Sequence, residues 1–375
     1  MRNAIQALRT LFRMTPAKKI TRDYLVSLLI AVVLALLVGA AVMLFTGHDP
    51  IEAYSALLIG ALGKPIAIGN TLAKAITLCL TALAMSVAAK AGIFNVGGEG
   101  QLFLGAMAAA VVGAQVKTSP FITTVLSLLA ALTAGALYAW LPAVLKVRLK
   151  VDEVITTIML NSVAIYFCTY LANGPLKTAE RGIASGTDSI LKSAGFAKLI
   201  PLSNLTTGLF YAAAVTLFTW YLLTKTSIGF EMKLTGENDR FAAYGGISTA
   251  KLMIWGMVFS GAICGLVGFL EVFGLHKRFI TTVSNEFYFD GMLVAMIMRY
   301  SPFGIIWMSI FFAILSIGGK AMELNAGVSN ELMLIVQSII IFFMAAEGGI
   351  RRMFGEWKNV KEIRREKRKE AEQHE

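Results

Sequence analysis

AAKAGIFNVGGEGQLFLGAM, residues 88–107, joins two apolar runs through a segment of different character. Gly97, Gly98 and Gly100 flank the carboxylate of Glu99, and the amides of Asn95 and Gln101 stand on either side. Glycine reaches backbone angles that interrupt a helix, and peptide groups freed in that way need partners from protein, water or ligand. A polar, glycine-interrupted segment inside an apolar chain marks a transport site. The plainer alternative is a polar loop between two spans.

The chain on both sides is apolar. Of 375 residues, 57% are hydrophobic and 15% charged, with a mean hydropathy of +0.69. Soluble domains carry about 25% charged residues, so the composition is that of a polytopic membrane protein. The net charge of +11 lies in short segments between apolar runs and at the two ends. That is the pattern of cytoplasmic loops, and it disfavours nucleic acid as a partner. Cys79, Cys168 and Cys264 each sit in an apolar run, and His48, His276 and His374 are scattered, so no metal site is expected.

A helix needs about 20 apolar residues to cross the hydrocarbon, and that length predicts about ten spans. They are 24–45, 66–89, 101–116, 121–145, 154–172, 207–224, 251–274, 289–299, 303–320 and 331–347, of which 101–116 and 289–299 are short. The first run is too long for a signal-peptide core and follows a basic tail, so it is expected to remain as a span with its N-terminus in the cytoplasm. With that orientation the inside segments hold most of the 34 Lys and Arg residues, and both termini are cytoplasmic.

The expected fold class is all-α, and the spans divide into two inverted repeats of about five helices each. Span 66–89 with its broken stretch and short span has a counterpart in 251–274, followed by LHKRFITTVSNEFYFDG (275–291) and 289–299. Paired interruptions of this kind place substrate near the repeat interface. The resulting organisation is a cytoplasmic tail 1–23, a transmembrane domain 24–347 and a basic cytoplasmic tail 348–375. Within the domain, the halves 24–172 and 207–347 are separated by an external loop 173–206. A cytoplasmic loop, 225–250, lies inside the second half.

Four stretches have a more particular character: AGIFNVGGEGQLFLGA (91–106), VDEVITTIMLN (151–161), TGENDRFAAYGGI (235–247) and FDGMLVAMIMRYSPFGII (289–306). In this order the chain resembles the inner-membrane permeases of ATP-binding-cassette (ABC) importers for simple sugars and nucleosides, over roughly residues 60–347. Met292, Met296 and Arg299 depart from the common form of the last motif. The resemblance implies a type II importer-like fold in a bacterial cell membrane. It also implies an ATPase subunit as partner, docked on Gly236, Asn238, Ala242, Ala243 and Gly246 of the cytoplasmic loop. The FNVGGEGQ form looks most like the purine-nucleoside branch, with a BmpA-type extracytoplasmic lipoprotein receptor and a second, different permease as heterodimer partner. No G-x-x-x-x-G-K-[ST] phosphate loop occurs, IGGKAM (317–322) having the wrong spacing, so ATP and Mg are expected on the partner ATPase and no cofactor on this chain.

The candidate substrate-path residues are Asn95, Glu99, Gln101, Asn161, Phe287, Tyr288, Phe289 and Asp290. Amides and a carboxylate hydrogen-bond ribose hydroxyls or base edges, and aromatic faces stack on flat bases. Each has a structural alternative: the polar group satisfies backbone at the break, Asn161 joins helices, and the aromatic triplet forms a belt at the membrane interface. Asp152 and Glu153 are read as a helix start. Gly261, Gly265 and Gly268 recur on one helical face and predict close packing. No nucleophile–base arrangement is present, so no catalytic residue is expected. A secondary transporter of the same architecture requires an ion site within the spans, where Lys74 is the one charged side chain read as well inside.

Overall fold

The computed structural model describes residues 22–116, 118–180, 185–328, 334–335, 338–339 and 341–343. The basic tails, 1–21 and 348–375, and most of the expected span 331–347 lie outside these residues. The described chain is helical, and two compact units divide it.

One unit holds residues 22–57 and the described residues from 319 onward. Its first helix, α1 (Arg22–Phe45), ends where the Thr46 hydroxyl bonds back to the Val42 and Met43 carbonyls and Gly47 turns the chain at φ +83°. A second apolar helix, α2 (Pro50–Leu62), occupies a stretch for which the span-length rule predicts no element. Thirteen residues are too few to cross a membrane, so counting apolar length passes over it. The Tyr54 hydroxyl donates to the Leu36 carbonyl at 2.7 Å and fastens α2 to α1.

The other unit, residues 58–318, carries the four motifs read above. In chain order its helices are α3 (Pro65–Lys90), α4 (Gly98–Gln115), α5 (Pro120–Leu149), α6 (Glu153–Asn173), α7 (Gly208–Lys225), α8 (Ser227–Glu237), α9 (Asp239–Tyr244), α10 (Thr249–Leu270), α11 (Phe287–Ile297) and α12 (Pro302–Ala326). Proline opens α3 and α5 at positions where its missing N–H is not needed. Asp152 caps α6 by accepting from the Val154 and Ile155 amides, as acids at a helix start predict. Glu153 pairs with Lys146 across the α5–α6 turn. After Leu270 the backbone widens into a π-turn, Glu271–His276, and leaves it through Lys277 at φ +59°.

Among the described residues, five helices are long and apolar enough to cross a membrane: Pro65–Lys90, Pro120–Leu149, Glu153–Asn173, Thr249–His276 and Pro302–Ala326. Helix α10 is the centre of this unit and packs on α3, α4 and α5. The predicted glycine face makes the contact. A Cβ on Gly265 would lie 2.2 Å from the Ala131 carbonyl oxygen, one on Gly261 2.4 Å from the Gly135 oxygen, and one on Gly268 2.4 Å from the Leu102 oxygen. Lipid offers no hydrophobic drive between helices, so such backbone-to-backbone approach is the source of their adhesion.

Helix α10 also supplies a correction to the sequence reading. Lys74 is not alone among charged groups inside the expected spans, because Glu271 falls within 251–274 and is buried.

Candidate functional site

The break in the first motif is narrower than its glycines suggest. Helix α3 ends at Lys90, Gly92 turns at φ +81°, and α4 begins at Gly98 with Gly97 as its cap. Only Gly92 needs glycine for its backbone angle. Gly97, Gly98 and Gly100 take ordinary angles, and their missing side chains serve close approach instead. A Cβ on Gly98 would sit 2.0 Å from the ring of Tyr288, while Gly97 and Gly100 lie against Thr157, Asn161 and Ala164 of α6.

The polar residues of the motif close a network around that turn. Asn95 Nδ2 donates to Gln101 Oε1 and to Ser260 Oγ of α10, each at 2.9 Å, and Asn95 Oδ1 accepts from the Gly97 amide. Asn161 accepts from the Gly100 amide and donates to the Val96 carbonyl, both at 2.8 Å. The Val96 amide donates to the Thr157 hydroxyl. The peptide groups released by the break are therefore met by side chains from α6 and by the motif itself, as burial requires.

Tyr288 closes the other side. It is fully buried, its hydroxyl donates to the Asn95 carbonyl at 2.6 Å, and its amide donates to Glu99 Oε2 at 3.1 Å. The carboxylate at the start of α4 thus holds the first turn of α11. This interior position removes Tyr288 from any belt at a membrane interface. Its neighbours Phe287, Phe289 and Asp290 are half-buried. The Phe287 carbonyl accepts from the Thr81 hydroxyl, and the Lys74 ammonium sits 3.7 Å from the centre of its ring.

Of the eight substrate-path candidates, Asn95, Glu99, Gln101, Asn161 and Tyr288 come together in one network, and Phe287, against Lys74, flanks it with Asp290 in the same helical turn. Phe289 makes no polar contribution to it. Sequence reading passed over Ser260, Thr157 and Thr81, because a hydroxyl inside an apolar run carries no positional signal. Glu271 had one, a carboxylate in a span, and Thr77 donates to its Oε1 at 2.8 Å. Among the described residues no group of three or more His, Cys, Asp or Glu side chains is placed to hold a metal.

The second motif group lies at the same end of α3, against its last residues. Two short helices, α8 and α9, occupy the stretch 225–250 that the sequence reading gives as a loop. Thr226 caps α8 and Asn238 caps α9, accepting from the Phe241 amide at 3.0 Å. A Cβ on Gly236 would lie 2.7 Å from the Lys90 carbonyl oxygen, and Ala242 is buried. Ala243 and Gly246 are exposed, together with Phe241 and Tyr244.

Packed apolar helices of crossing length, interrupted by a buried polar turn paired from within, are the architecture of a polytopic membrane protein. Residues 67–345 match the family described as branched-chain amino acid transport system / permease component. The chain belongs to this permease family and is a multi-pass membrane protein. It is 33% identical to the guanosine ABC transporter permease protein NupP of Bacillus subtilis, over 88% of this chain and 95% of that one. It is also 33% identical to the nucleoside ABC transporter permease protein NupB of Lactococcus lactis, over 93% and 98%. Identity to the glucose ABC transporter permease protein TsgB13 of Haloferax volcanii is 32%, over 86% and 87%. No solved structure matches the chain significantly.

Proposed function

We propose that this chain forms the translocation path of an ABC importer for purine nucleosides and has no catalytic activity of its own. The observation that carries the reading is its likeness, along nearly the whole length of both proteins, to two permeases named for guanosine and nucleosides. The absence of a phosphate loop assigns ATP and Mg to a separate ATPase subunit. A second, different permease and an extracytoplasmic lipoprotein receptor complete the assembly, in contact with membrane lipid. The full architecture is about ten spans in two inverted repeats, the type II importer arrangement. Charge bias supports a bacterial cell-membrane location with tails 1–23 and 348–375 both cytoplasmic. The transmembrane domain is 24–347, with its external loop at 173–206.

The test is ATP-dependent uptake of labelled guanosine and adenosine by cells with and without this chain, competed by ribose, free bases and riboflavin. Loss of uptake on deletion, with competition by nucleosides alone, is the expected result. Unchanged nucleoside uptake moves the substrate to a simple sugar, the reading favoured by the glucose permease relative. Uptake that survives ATP depletion and collapses with the ion gradient overturns the ATP-driven class in favour of a secondary transporter.

In the coupling loop, 225–250, exposure and capping together separate two roles. Ala243, Gly246, Phe241 and Tyr244 form the face offered to the ATPase, whereas Gly236, Asn238 and Ala242 shape the loop itself. Ala243→Arg is expected to leave insertion intact and to lower co-purification of the ATPase about tenfold or more, since a charge enters a closely packed contact. Gly236→Arg displaces α8 from the end of α3 and lowers the amount of inserted protein as well. Co-purification of Ala243→Arg at the parental level sinks the assignment.

A further inference from the structure

One group of side chains inside the apolar unit takes no part in holding the broken turn. Lys74 lies on α3, about two and a half turns from its start, with Thr77 one turn further on the same face. Glu271 opens the π-turn at the end of α10, and Phe287 and Asp290 occupy the first turn of α11. Thr77 donates to Glu271 Oε1 at 2.8 Å, and the other carboxylate oxygen stands 4.0 Å from His276 Nε2, beyond hydrogen-bond reach. The Lys74 ammonium lies 3.7 Å from the Phe287 ring centre, and Asp290 follows Phe287 by three residues in the first turn of α11.

Ionisable groups at membrane depth are expensive and are retained where they line a path. The π-turn points the same way, since such widened turns disrupt the regular ladder and recur at functional sites. The group joins an aromatic face to two carboxylates and an ammonium, with Lys74, Phe287 and Asp290 all half-buried rather than sealed. Carboxylates accept from paired hydroxyls, a ring packs on a flat base, and an ammonium donates to a base or ring oxygen. Two carboxylates against one ammonium also repel a phosphate.

We propose that Lys74, Thr77, Glu271, Phe287 and Asp290 are the point at which the substrate is recognised within the chain. They take an uncharged nucleoside by its ribose hydroxyls and its base and exclude its phosphorylated form. This inference rests on the nucleoside reading above and assigns it a site apart from the network of Asn95, Gln101 and Asn161. The bland rival is that Lys74 and Glu271 only neutralise one another.

The test uses ATP-dependent guanosine uptake by vesicles containing the assembled importer, comparing the parent with Glu271→Gln, Asp290→Asn and the double variant K74M/E271Q. The parent is expected to be competed by guanosine and not by guanosine monophosphate. Glu271→Gln and Asp290→Asn are each expected to raise KM about 10- to 100-fold, the loss carried by a hydrogen bond to a charged group, with a smaller change in maximal rate. The double variant, which removes Lys74 and Glu271 together, is expected to insert at the parental level and keep the raised KM. Recovery of the parental KM in the double variant overturns the proposal, because mutual neutralisation then explains the pair. Equal competition by the monophosphate overturns it too. Should Glu271→Gln fail to insert, the double variant decides. Absence of guanosine uptake by the parent removes the nucleoside reading and this site with it, whereas a parental KM in inserted variants removes the site alone.

Discussion

Gly265→Leu is expected to abolish accumulation of folded protein in the membrane. Gly265 meets the Ala131 carbonyl on α5, and Gly105 of α4 approaches Gly265 so closely that a Cβ there would lie 2.4 Å from its Cα. Three helices therefore converge on one residue that has no side chain to move aside. A leucine separates α10 from both neighbours, and the dispersion contacts that replace a hydrophobic drive in lipid are lost along the whole seam. Overpacking of a tight core costs about 1–3 kcal/mol, and a backbone-to-backbone seam stands at the upper end of that range because no rotamer change relieves it. Gly265→Ala is expected to be milder but still harmful, and Leu137→Ala, at an exposed position, to be neutral. Size-exclusion profiles of the solubilised variants after graded heating measure the order. A Gly265→Leu variant as heat-resistant as the parent contradicts the seam.

The second large effect concerns Tyr288. Its ring fills the space that Gly98 leaves open, and its two polar contacts join α11 to the broken turn. Tyr288→Phe keeps the ring and loses the hydroxyl donated to the Asn95 carbonyl, a cost of about 1 kcal/mol. Tyr288→Ala loses the ring as well and leaves a cavity between α3, α4 and α11, a cost of about 3–5 kcal/mol. Gly98→Val attacks the same contact from the other side and is expected to resemble Tyr288→Ala. Thermal unfolding of the three purified variants separates them. The expected ranking places Phe nearest the parent, and equal loss for Phe and Ala would mean that the ring is not the filler.

These two predictions also show which parts of the protein its sequence exposes. Span-length apolar runs in α3, α5, α6, α10 and α12 follow from composition alone, because every peptide group inside a bilayer must be paired within its own helix. The repeat of Gly261, Gly265 and Gly268 predicts a close-packed face, since their spacing returns to one side of the helix. Asp152 as a cap is equally local. The short helix α2 escapes the same reading because its apolar run does not reach membrane length.

The candidate site is legible in kind and not in arrangement. The FNVGGEGQ stretch is visibly unlike its surroundings, yet its glycines look like helix breakers when only Gly92 takes a glycine angle. Gly97, Gly98 and Gly100 are small because Tyr288 and α6 come so near, and both partners are far away in sequence. Asn95 and Gln101, polar enough to suggest a ligand, turn to each other and to Ser260. Glu271 carries the opposite lesson. A single carboxylate in a long apolar run is easily overlooked until the structure sets it against Thr77 of α3.

From sequence alone come the membrane class, the helical fold, the motif order that marks a permease, and the residues at which the chain departs from a plain apolar helix. The class, the fold and these departures depend on local composition or on spacing within one helix, and the motif order speaks only through resemblance to a family. Only the tertiary structure decides which polar groups are paired within the chain and with which partners. Hydrogen-bond partners and the space beside a glycine are set by helices that meet across long sequence distances, and neither spacing nor composition encodes those meetings.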